Sequence, residues 1–358
     1  MDYKIITDTY NFELLKKDWE RLEQQSKKLT YYSTFQYAKC KWDVQKKYDK
    51  YNLFIICIIH NNVIIGIAPL LIERIKNKFF SWNCLKFLAV GDYADFIIDE
   101  KCEVQAKSIY KQIFKIVFDN DILWDEIRLS HIPYFSNLIY YLLSSEYNKN
   151  LFYLIENPFI NMSNLIYNNK IDTAQIPEKT IQYSNRLKKL TNYNLVITRK
   201  NYINQFSKIH IAEKVYLQKK GLKNRHSLFE NKEEYELFNN LFYLDNSLSY
   251  YLFDNINKKI IIYNCGFVYN NIYYSINTGY EPEYSNLGVG KIIYYEIFKE
   301  NLSNPLWEIL DAGTGRYSWK FEWANGFNLL YQFYMINHNS KKLKIWRKLQ
   351  KIKNDIKS

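Results

Sequence analysis

Three long runs of β-forming residues in the second half of the chain constrain its fold more than any other feature. They are SLSYYLFD (247–254), KIIIYNCGFVYN (259–270) and NIYYSINTGY (271–280). The Asn-Asn pair between the last two runs predicts a tight hairpin turn, because asparagine tolerates the positive φ angles that such turns need. A predicted helix over 291–302 and a predicted strand over 306–312 follow. Strands interrupted by a helix in this way indicate an α/β domain with a mixed sheet.

The remainder of the chain shows a similar alternation of helical and extended patterns. Apolar runs at 53–60 and 63–72, joined by a His-Asn-Asn turn, predict a strand pair. Helices are predicted over about 12–25, 34–47, 104–118, 180–192, 202–219 and 231–245. The chain has 358 residues, of which 47% are apolar and 24% are charged. These values are typical of a globular protein with room for two domains, and they exclude wholesale disorder.

A polar, asparagine-rich stretch over 157–180, which contains two prolines, indicates a boundary between two domains. We therefore predict a first domain over 1–165 and a second over 166–340. The last segment, 341–358, carries eight Lys or Arg against one Asp, and its apolar residues recur at helical spacing. It is predicted to be a basic amphipathic helix, which either docks on the body or adheres to an anionic membrane surface.

Several classes of protein are disfavoured by what the sequence lacks. It begins with charged residues rather than a signal peptide, and its apolar runs are too short to span a bilayer. Five widely spaced cysteines, none in a CxxC motif, predict reduced thiols and a cytoplasmic protein, at most peripheral at the inner membrane face. Five scattered histidines and no HExxH motif predict that no metal is needed.

Glycine is concentrated in the C-terminal half. Seven of the ten glycines lie between Gly266 and Gly326. The segment SNLGVG (285–290) places two of them at the entrance of the predicted helix, where backbone N–H groups and the helix dipole attract phosphate. A dinucleotide fingerprint is incomplete, because Ile293 replaces its third glycine, and a P-loop is excluded because no Gly-Lys-Ser/Thr is present. A second glycine pair follows the next predicted strand, so both loops are expected at one edge of the sheet.

The segment LDAGTGRYSWKFEW (310–323) resembles the signature of the GNAT acetyltransferases associated with cellulose biosynthesis (BcsL/CelD-like), a family similar to the Fem peptidyltransferases. Its matching residues are Asp311, Gly313, Gly315, Lys320 and Trp323. The family has Asp, Tyr and Arg where this chain has Arg316, Trp319 and Glu322. Upstream, GYEP (279–282) resembles the family's Gly-Tyr-Asp-Pro, and SNLGVG resembles the GNAT pyrophosphate loop.

The resemblance implies two tandem GNAT-like domains, each with a mixed, mostly antiparallel sheet flanked by helices. The C-terminal domain would bind acetyl-CoA or another acyl-CoA as co-substrate, and the first domain would form one side of the acceptor site. The residues implied for acyl-CoA are Ser275, Asn277, Gly279, Ser285, Asn286, Gly288, Val289 and Gly290. Those implied for catalysis are Asp311, Tyr317 and Lys320. Those implied for substrate binding are His210, Asp92, Asp95 and Arg316.

Acyl transfer to an amine needs a hydrogen-bond donor at the thioester carbonyl, a base for the ammonium and an acid for the thiolate. The strand over 275–279 is the expected source of the carbonyl's donor. Tyr294 competes with Tyr317 as the acid. His210 and Glu213 lie one helical turn apart, so the alternative of a base with its orienting partner stays open.

Three functions follow from these features. The first is an acyl-CoA-dependent N-acyltransferase that acts on an amine of a sugar, nucleotide-sugar or surface-glycan precursor. The second is a Fem-like transferase that uses aminoacyl-tRNA, to which a formal charge of +12 would be suited. The third is a catalytically degenerate GNAT-like binding module that docks on a membrane through 341–358.

Overall fold

The computed structural model describes residues 1–358 except 27, 79, 100, 102–105, 342 and 346–358. The chain separates into two compact units: unit 1 contains 1–155 and 329–358, and unit 2 contains 156–328. The observed division after residue 155 lies ten residues before the predicted one. Residues 329–340, which were predicted in the second domain, belong to unit 1, because residues 330–336 pair with residues 126–133 of that unit. The polar stretch that begins at 157 includes strand residues of unit 2. Most of the predicted helix over 341–358 lies outside the described residues.

The secondary structure comprises strands and helices in alternation. The strands are β1 (Asp2–Ile6), β2 (Tyr51–Leu53), β3 (Ile55–His60), β4 (Val63–Ala68), β5 (Leu70–Lys76), β6 (Ser81–Phe87), β7 (Ile97–Ile98), β8 (Glu126–Pro133), β9 (Leu151–Asn161), β10 (Ile166–Tyr167), β11 (Lys170–Ile171), β12 (Asn194–Thr198), β13 (Ser247–Asp254), β14 (Lys259–Tyr269), β15 (Ile272–Tyr280), β16 (Ile309–Asp311) and β17 (Gly326–Ile336). The helices are α1 (Thr9–Leu14), α2 (Lys16–Gln25), α3 (Phe35–Gln45), α4 (Ala106–Asp119), α5 (Asn137–Leu143), α6 (Thr180–Thr191), α7 (Ile203–Lys219), α8 (Lys232–Leu241), α9 (Val289–Ser303) and α10 (Ser318–Trp323).

Unit 1 contains two groups of paired strands. One is an antiparallel sheet in the order β1-β3-β4-β7, and the other has the order β17-β8-β6-β5-β2. In the second group only the β6–β8 pairing is parallel. The core joins apolar residues of these strands to α4, whose Ile113 and Phe114 are almost fully buried. The C-terminal strand β17 belongs to this unit through its pairing of Leu330–Ile336 with β8.

Unit 2 has the strand order β12-β13-β14-β15-β16-β9. All neighbours are antiparallel except β15 and β16, which are parallel. Both units are therefore α/β structures with mixed, mostly antiparallel sheets and flanking helices, and this confirms the predicted fold class. The predicted strands over 247–280 and the predicted helix over 291–302 are present with nearly the expected limits.

Helices cover both faces of the unit 2 sheet. Tyr263 of β14 stacks on Phe206 of α7, with ring centroids 4.1 Å apart. The next residue, Asn264, points to the opposite face, where its amide contacts the hydroxyl of Tyr294 on α9. Ile292, Ile293 and Ile297 of α9 are fully buried on that face. The sheet of unit 2 thus has an α7 face, which contacts Phe206, and an α9 face, which contacts Tyr294.

Asn-Asn pairs form three of the hairpin turns. Asn270 and Asn271 have φ angles of 49° and 59°, and they join β14 to β15 as predicted. The same geometry recurs at 61–62 and 168–169. Because asparagine adopts positive φ more readily than most residues, each pair supplies the backbone twist that a two-residue hairpin requires.

A β-bulge interrupts the pairing of β14 with β15. Gly266 pairs with Ser275, but the preceding residue Cys265 pairs with Asn277, so Ile276 is the extra residue. At Gly266 the backbones approach so closely that an added Cβ would lie 1.9 Å from the carbonyl oxygen of Tyr274. Only glycine fits this position without a movement of the backbone.

Gly266→Ala is expected to lower the free energy of unfolding by about 1–3 kcal/mol, because the new methyl group forces the two strands apart. Gly290→Ala is the matched control, since a Cβ there meets no atom within 4 Å. Being helical, the control should be unchanged or up to about 1 kcal/mol more stable. Urea unfolding followed by circular dichroism measures both, and equal stabilities for the two variants would contradict the argument.

Candidate active site

Strands β15 and β16 stay together for only three residue pairs. Ile272, Tyr273 and Tyr274 pair with Ile309, Leu310 and Asp311, after which β16 ends while β15 continues to Tyr280. Among the described residues, no strand pairs with this edge of β15 beyond Tyr274. The edge over 275–280 therefore offers backbone N–H and C=O groups to a ligand that carries amides of its own. It contains the predicted residues Ser275, Asn277 and Gly279.

The helix entrance after β15 exposes backbone amides. Gly288 has a φ of 68° and precedes α9, whose N-terminus receives no hydrogen bond from the side chain of its capping residue. Gly290 is exposed, and space is open beyond its Cα. Free N–H groups in the first turn and the positive end of the helix dipole favour an anion here.

Neighbouring side chains shape this entrance. A Cβ at Gly288 would lie 2.4 Å from the ring of Tyr183, so this glycine is covered by an aromatic side chain. The Ser285 hydroxyl hydrogen-bonds to that of Tyr216 at 2.9 Å. Asn286 is exposed, whereas Val289 is buried in the core. Among the predicted loop residues, Gly290 is thus the one with the most open surroundings.

The turn after β16 is held by two predicted catalytic residues. Asp311 is 3% exposed and accepts hydrogen bonds from the Gly313 amide at 3.0 Å and from Asn157 Nδ2 at 3.2 Å. Lys320, 6% exposed, donates to the carbonyls of Gly313 and Thr314 at 2.8 and 2.7 Å. Both side chains therefore stabilise the strand-to-helix turn, and their catalytic roles stay predictions.

Arg316 and Tyr317, between Asp311 and Lys320 in the same motif, contact charged residues elsewhere in unit 2. Arg316 forms a two-pronged ion pair with Glu156, with distances of 2.8 and 3.1 Å. Tyr317 is 40% exposed, and the guanidinium of Arg225 lies 4.7 Å from the centre of its ring. Arg316 is thus already engaged by an acidic partner, and substrate binding through it stays a prediction.

The other candidate acid, Tyr294, lies on α9 and is 2% exposed. Its hydroxyl accepts a hydrogen bond from Asn264, and its ring stacks on Trp319 with centroids 5.1 Å apart. Burial raises its pKa above the ordinary tyrosine value. The structure therefore places Tyr294 beside β15 on the α9 face, and Tyr317 at the start of α10.

His210 and Glu213 lie on the same face of α7 but contact different groups. His210 Nδ1 lies 2.7 Å from the Ser227 hydroxyl, and burial lowers the pKa of this imidazole to about 3. Glu213 pairs with Lys214 at 3.2 Å, and burial raises the pKa of its carboxyl. No hydrogen bond joins the two in the described part of the chain, so the proposed base-and-orienter pair is not formed here.

The remaining predicted acceptor-binding residues belong to unit 1. Asp92 accepts a hydrogen bond from the Tyr32 hydroxyl at 2.9 Å. Asp95 accepts one from the Phe96 amide at 2.8 Å, and burial raises its pKa to about 7. Their roles in acceptor binding stay predictions.

Two buried asparagines of this site were not predicted from the sequence. Asn157, fully buried, donates to Asp311 although 154 residues separate them in the chain. Asn264, also fully buried, lies within a run of apolar residues. No local signal identifies the first, because it opens a polar stretch that resembles a linker. A polar residue inside an apolar strand was the one available signal for the second.

The described residues were also compared with the requirements of a metal site, of reactive thiols and of a membrane-spanning helix. No three His, Cys, Asp or Glu side chains gather as metal ligands within the described ranges, and independence from metal stays a prediction. Four cysteines are buried free thiols, namely Cys40, Cys57, Cys84 and Cys265. In the same ranges, no helix is both long and apolar enough to cross a bilayer.

The contribution of His210 to the free energy of unfolding should fall as the pH drops below about 6.5, because its imidazole binds a proton in the unfolded chain but not in the folded one. The raised pKa of Asp95 acts in the opposite direction over the same range, so the test compares variants rather than the wild type alone. A single such group contributes up to about 1.4 kcal/mol for each pH unit between the two pKa values. Between pH 6.5 and 4, His210→Gln should lose less stability than the wild type or gain more, as followed by urea midpoints. The exposed His226→Gln is the control, and equal slopes for both variants would contradict the assignment.

Comparisons with known proteins agree with this geometry. Residues 199–321 match the family described as an acetyltransferase (GNAT) domain. None of the curated proteins is significantly similar to this chain in sequence. Among solved structures, FemX aligns with a TM-score of 0.58 at 9% identity, covering 94% of this chain and 98% of that chain.

Two other structures align at a similar level. L-PGS from Bacillus licheniformis has a TM-score of 0.51 at 10% identity and covers 84% of this chain and 92% of its own. A tandem GNAT protein from the clavulanic acid biosynthesis pathway has a TM-score of 0.50 at 5% identity, with coverages of 92% and 98%. The narrower resemblance to the cellulose-associated family stays a prediction. The chain has a tandem GNAT-like fold, and its residues 199–321 match a GNAT acetyltransferase domain.

Proposed function

We propose that unit 2 transfers an acyl group, in the first instance acetyl, from CoA to a primary amine. One observation carries this proposal: β15 parts from β16 after Tyr274, and the helix that follows β15 begins with open space at Gly290. An acyl-CoA carries amides along its pantetheine arm and a pyrophosphate beyond them. The free edge over 275–280 suits the amides, and the first turn of α9 suits the pyrophosphate.

The reaction forms a C–N bond and breaks the C–S bond of the thioester. A backbone N–H on the free edge of β15 would stabilise the developing negative charge on the carbonyl oxygen. The leaving thiolate takes a proton from an acid, for which Tyr294 and Tyr317 are the candidates. Asp311, at the last paired position of β16, is the candidate base for the amine.

The acceptor is proposed to be an amine on a sugar, nucleotide-sugar or surface-glycan precursor. This part of the proposal rests on the resemblance of 310–323 to the cellulose-associated family. The arrangement of Arg316 with Glu156, and of Lys291 with Glu322 at 2.7 Å, leaves these charges balanced within unit 2. The acceptor's own charge is therefore not specified by them.

Acetyl-CoA is expected to raise the midpoint of thermal unfolding in a saturable manner, because a ligand of the native state stabilises it by mass action. Gly290→Glu should weaken this effect by at least about tenfold in ligand concentration, since a carboxylate beside the first turn repels the pyrophosphate. The ligand-free variant should unfold no earlier than the wild type, because Gly290 has open surroundings and acidic residues favour helix N-termini.

Gly290→Gln is the matched control, with the same size and no charge, and it should bind acetyl-CoA more tightly than the Glu variant. Gly288 is unsuitable for this test because any side chain there strikes Tyr183. Absence of a thermal shift at millimolar acetyl-CoA would reject the proposed donor.

In a second candidate function the donor is aminoacyl-tRNA. The structural alignment with FemX is the observation that supports this candidate. Under this alternative, tRNA should bind with an affinity that falls steeply as salt rises, because phosphate contacts release counterions. Filter binding at increasing KCl concentrations measures this dependence. Acyl transfer from acetyl-CoA that is insensitive to ribonuclease would instead favour the first proposal.

A further inference from the structure

We propose that Asn264 is a positioning residue for acyl transfer: it fixes the bulge of β15 and thereby the backbone amide that receives the thioester carbonyl. The inference rests on the proposed function of unit 2 and deepens it. Asn264 would not touch the substrate. It would act through Ser275 and Tyr294, which border the point where β15 leaves β16.

All hydrogen-bonding groups of the Asn264 side chain are engaged. Its Nδ2 atom donates to the Ser275 hydroxyl at 2.8 Å and to the Tyr294 hydroxyl at 3.0 Å. Its Oδ1 atom accepts from the Tyr273 hydroxyl at 2.7 Å. An amide offers two N–H donors and one carbonyl acceptor, and here each has a partner. The side chain therefore has one orientation that satisfies the whole network.

The partners of Asn264 lie on both sides of the point where β15 separates from β16. Tyr273 is in the paired part of β15, opposite Leu310, whereas Ser275 is the first residue beyond the pairing. The bulged residue Ile276 follows directly. Tyr294 lies on α9, in the second turn after the helix entrance. One side chain on β14 thus connects the paired strand, the start of its free edge and the helix that is proposed to bind the pyrophosphate.

The network is buried, so any change in its geometry that breaks a hydrogen bond lowers stability. Asn264 and Tyr273 are fully buried, Tyr294 is 2% exposed and Ser275 is 7% exposed. A buried polar group that loses its partner is unfavourable, because no water replaces the lost hydrogen bond. A shift of β15 by one residue would move Ser275 to the opposite face and leave the Asn264 amide without this acceptor. The network therefore selects the bulged register over its neighbours.

The consequence for catalysis concerns rate more than binding. Donors that stabilise a developing oxyanion must be held within about 0.5 Å of their productive position. Loss of one such donor typically lowers kcat by about 10²–10³. Affinity for acyl-CoA should depend chiefly on the pyrophosphate at α9, which the network does not contact directly.

Asn301 provides a matched control for a buried asparagine in the same unit. It is 4% exposed, it donates to the Trp307 carbonyl at 2.8 Å and accepts from the Leu306 amide at 2.9 Å. It lies near the C-terminal end of α9, far along the helix from Tyr294. Asn301→Leu therefore removes buried hydrogen bonds and lowers stability without affecting the bulge.

The experiment uses the full chain with acetyl-CoA carrying ¹³C at the thioester carbonyl, followed by ¹³C NMR. A hydrogen bond to the carbonyl oxygen moves its resonance downfield relative to the free ligand. The wild type and Asn301→Leu should both show this shift. Asn264→Leu should still bind acetyl-CoA saturably by calorimetry, because the pyrophosphate site at α9 remains, but most of the downfield shift should be lost. No acceptor is needed, so the test does not depend on its identity.

The inference is overturned if Asn264→Leu keeps the wild-type shift, or if the bound wild type shows no shift although binding is saturable. The second result would leave the proposed donor intact. No binding to the wild type would reject the proposed function, and the inference with it. If Asn264→Leu does not fold, Ser275→Ala removes one arm of the same network and should lose part of the shift.

Discussion

The architecture of unit 2 depends on a parallel pairing that stops after three residues. Strand β16 ends at Asp311, while β15 continues for six residues to Tyr280. Backbone groups on a strand edge without a partner strand must be satisfied by water, by side chains or by a ligand. The bulge at Ile276, the glycine at 266 and the buried Asn264 network all hold the chain in this arrangement. The proposed acyl-CoA, with amides of its own, would pair with this edge.

The turn that follows β16 shows how charged side chains serve the backbone in this protein. Lys320 and Asp311 are nearly buried, and both bind backbone groups of the turn at Gly313. The family resemblance assigned importance to these residues, and the structure supplies a physical reason that is independent of catalysis. Arg316 differs in charge from the family pattern, and Glu156 balances it. This departure from the family pattern is thus balanced by an acidic residue of the same unit.

Those parts of the fold that carry a local signal were predictable from the sequence. Strands β13 to β15 have long β-forming runs, the Asn270-Asn271 turn has a conformational cause, and α9 follows a glycine pair. Strand β9 was not predicted, because Asn157 and the proline after it indicate a loop when only neighbouring residues are considered. Likewise, the spacing of His210 and Glu213 correctly placed both on one helical face, but their partners come from Ser227 and Lys214. The partner of Glu213 is its neighbour in the chain, whereas Ser227 is 17 residues from His210 and leaves no trace in a local pattern.

The position of β17 in the chain has a consequence for synthesis. Unit 1 is completed by residues 329–336, which pair with β8 nearly two hundred residues earlier, whereas unit 2 is a continuous segment between them. A ribosome therefore releases all of unit 2 before it supplies the last strand of unit 1. Residues 1–155 therefore lack a partner for one edge of β8 during the time in which unit 2 is synthesised and can fold. The usual order, in which the N-terminal part of a protein folds first, cannot be completed for unit 1. Until residues 329–336 are made, the edge of β8 that they cover is a surface on which a nascent chain could aggregate.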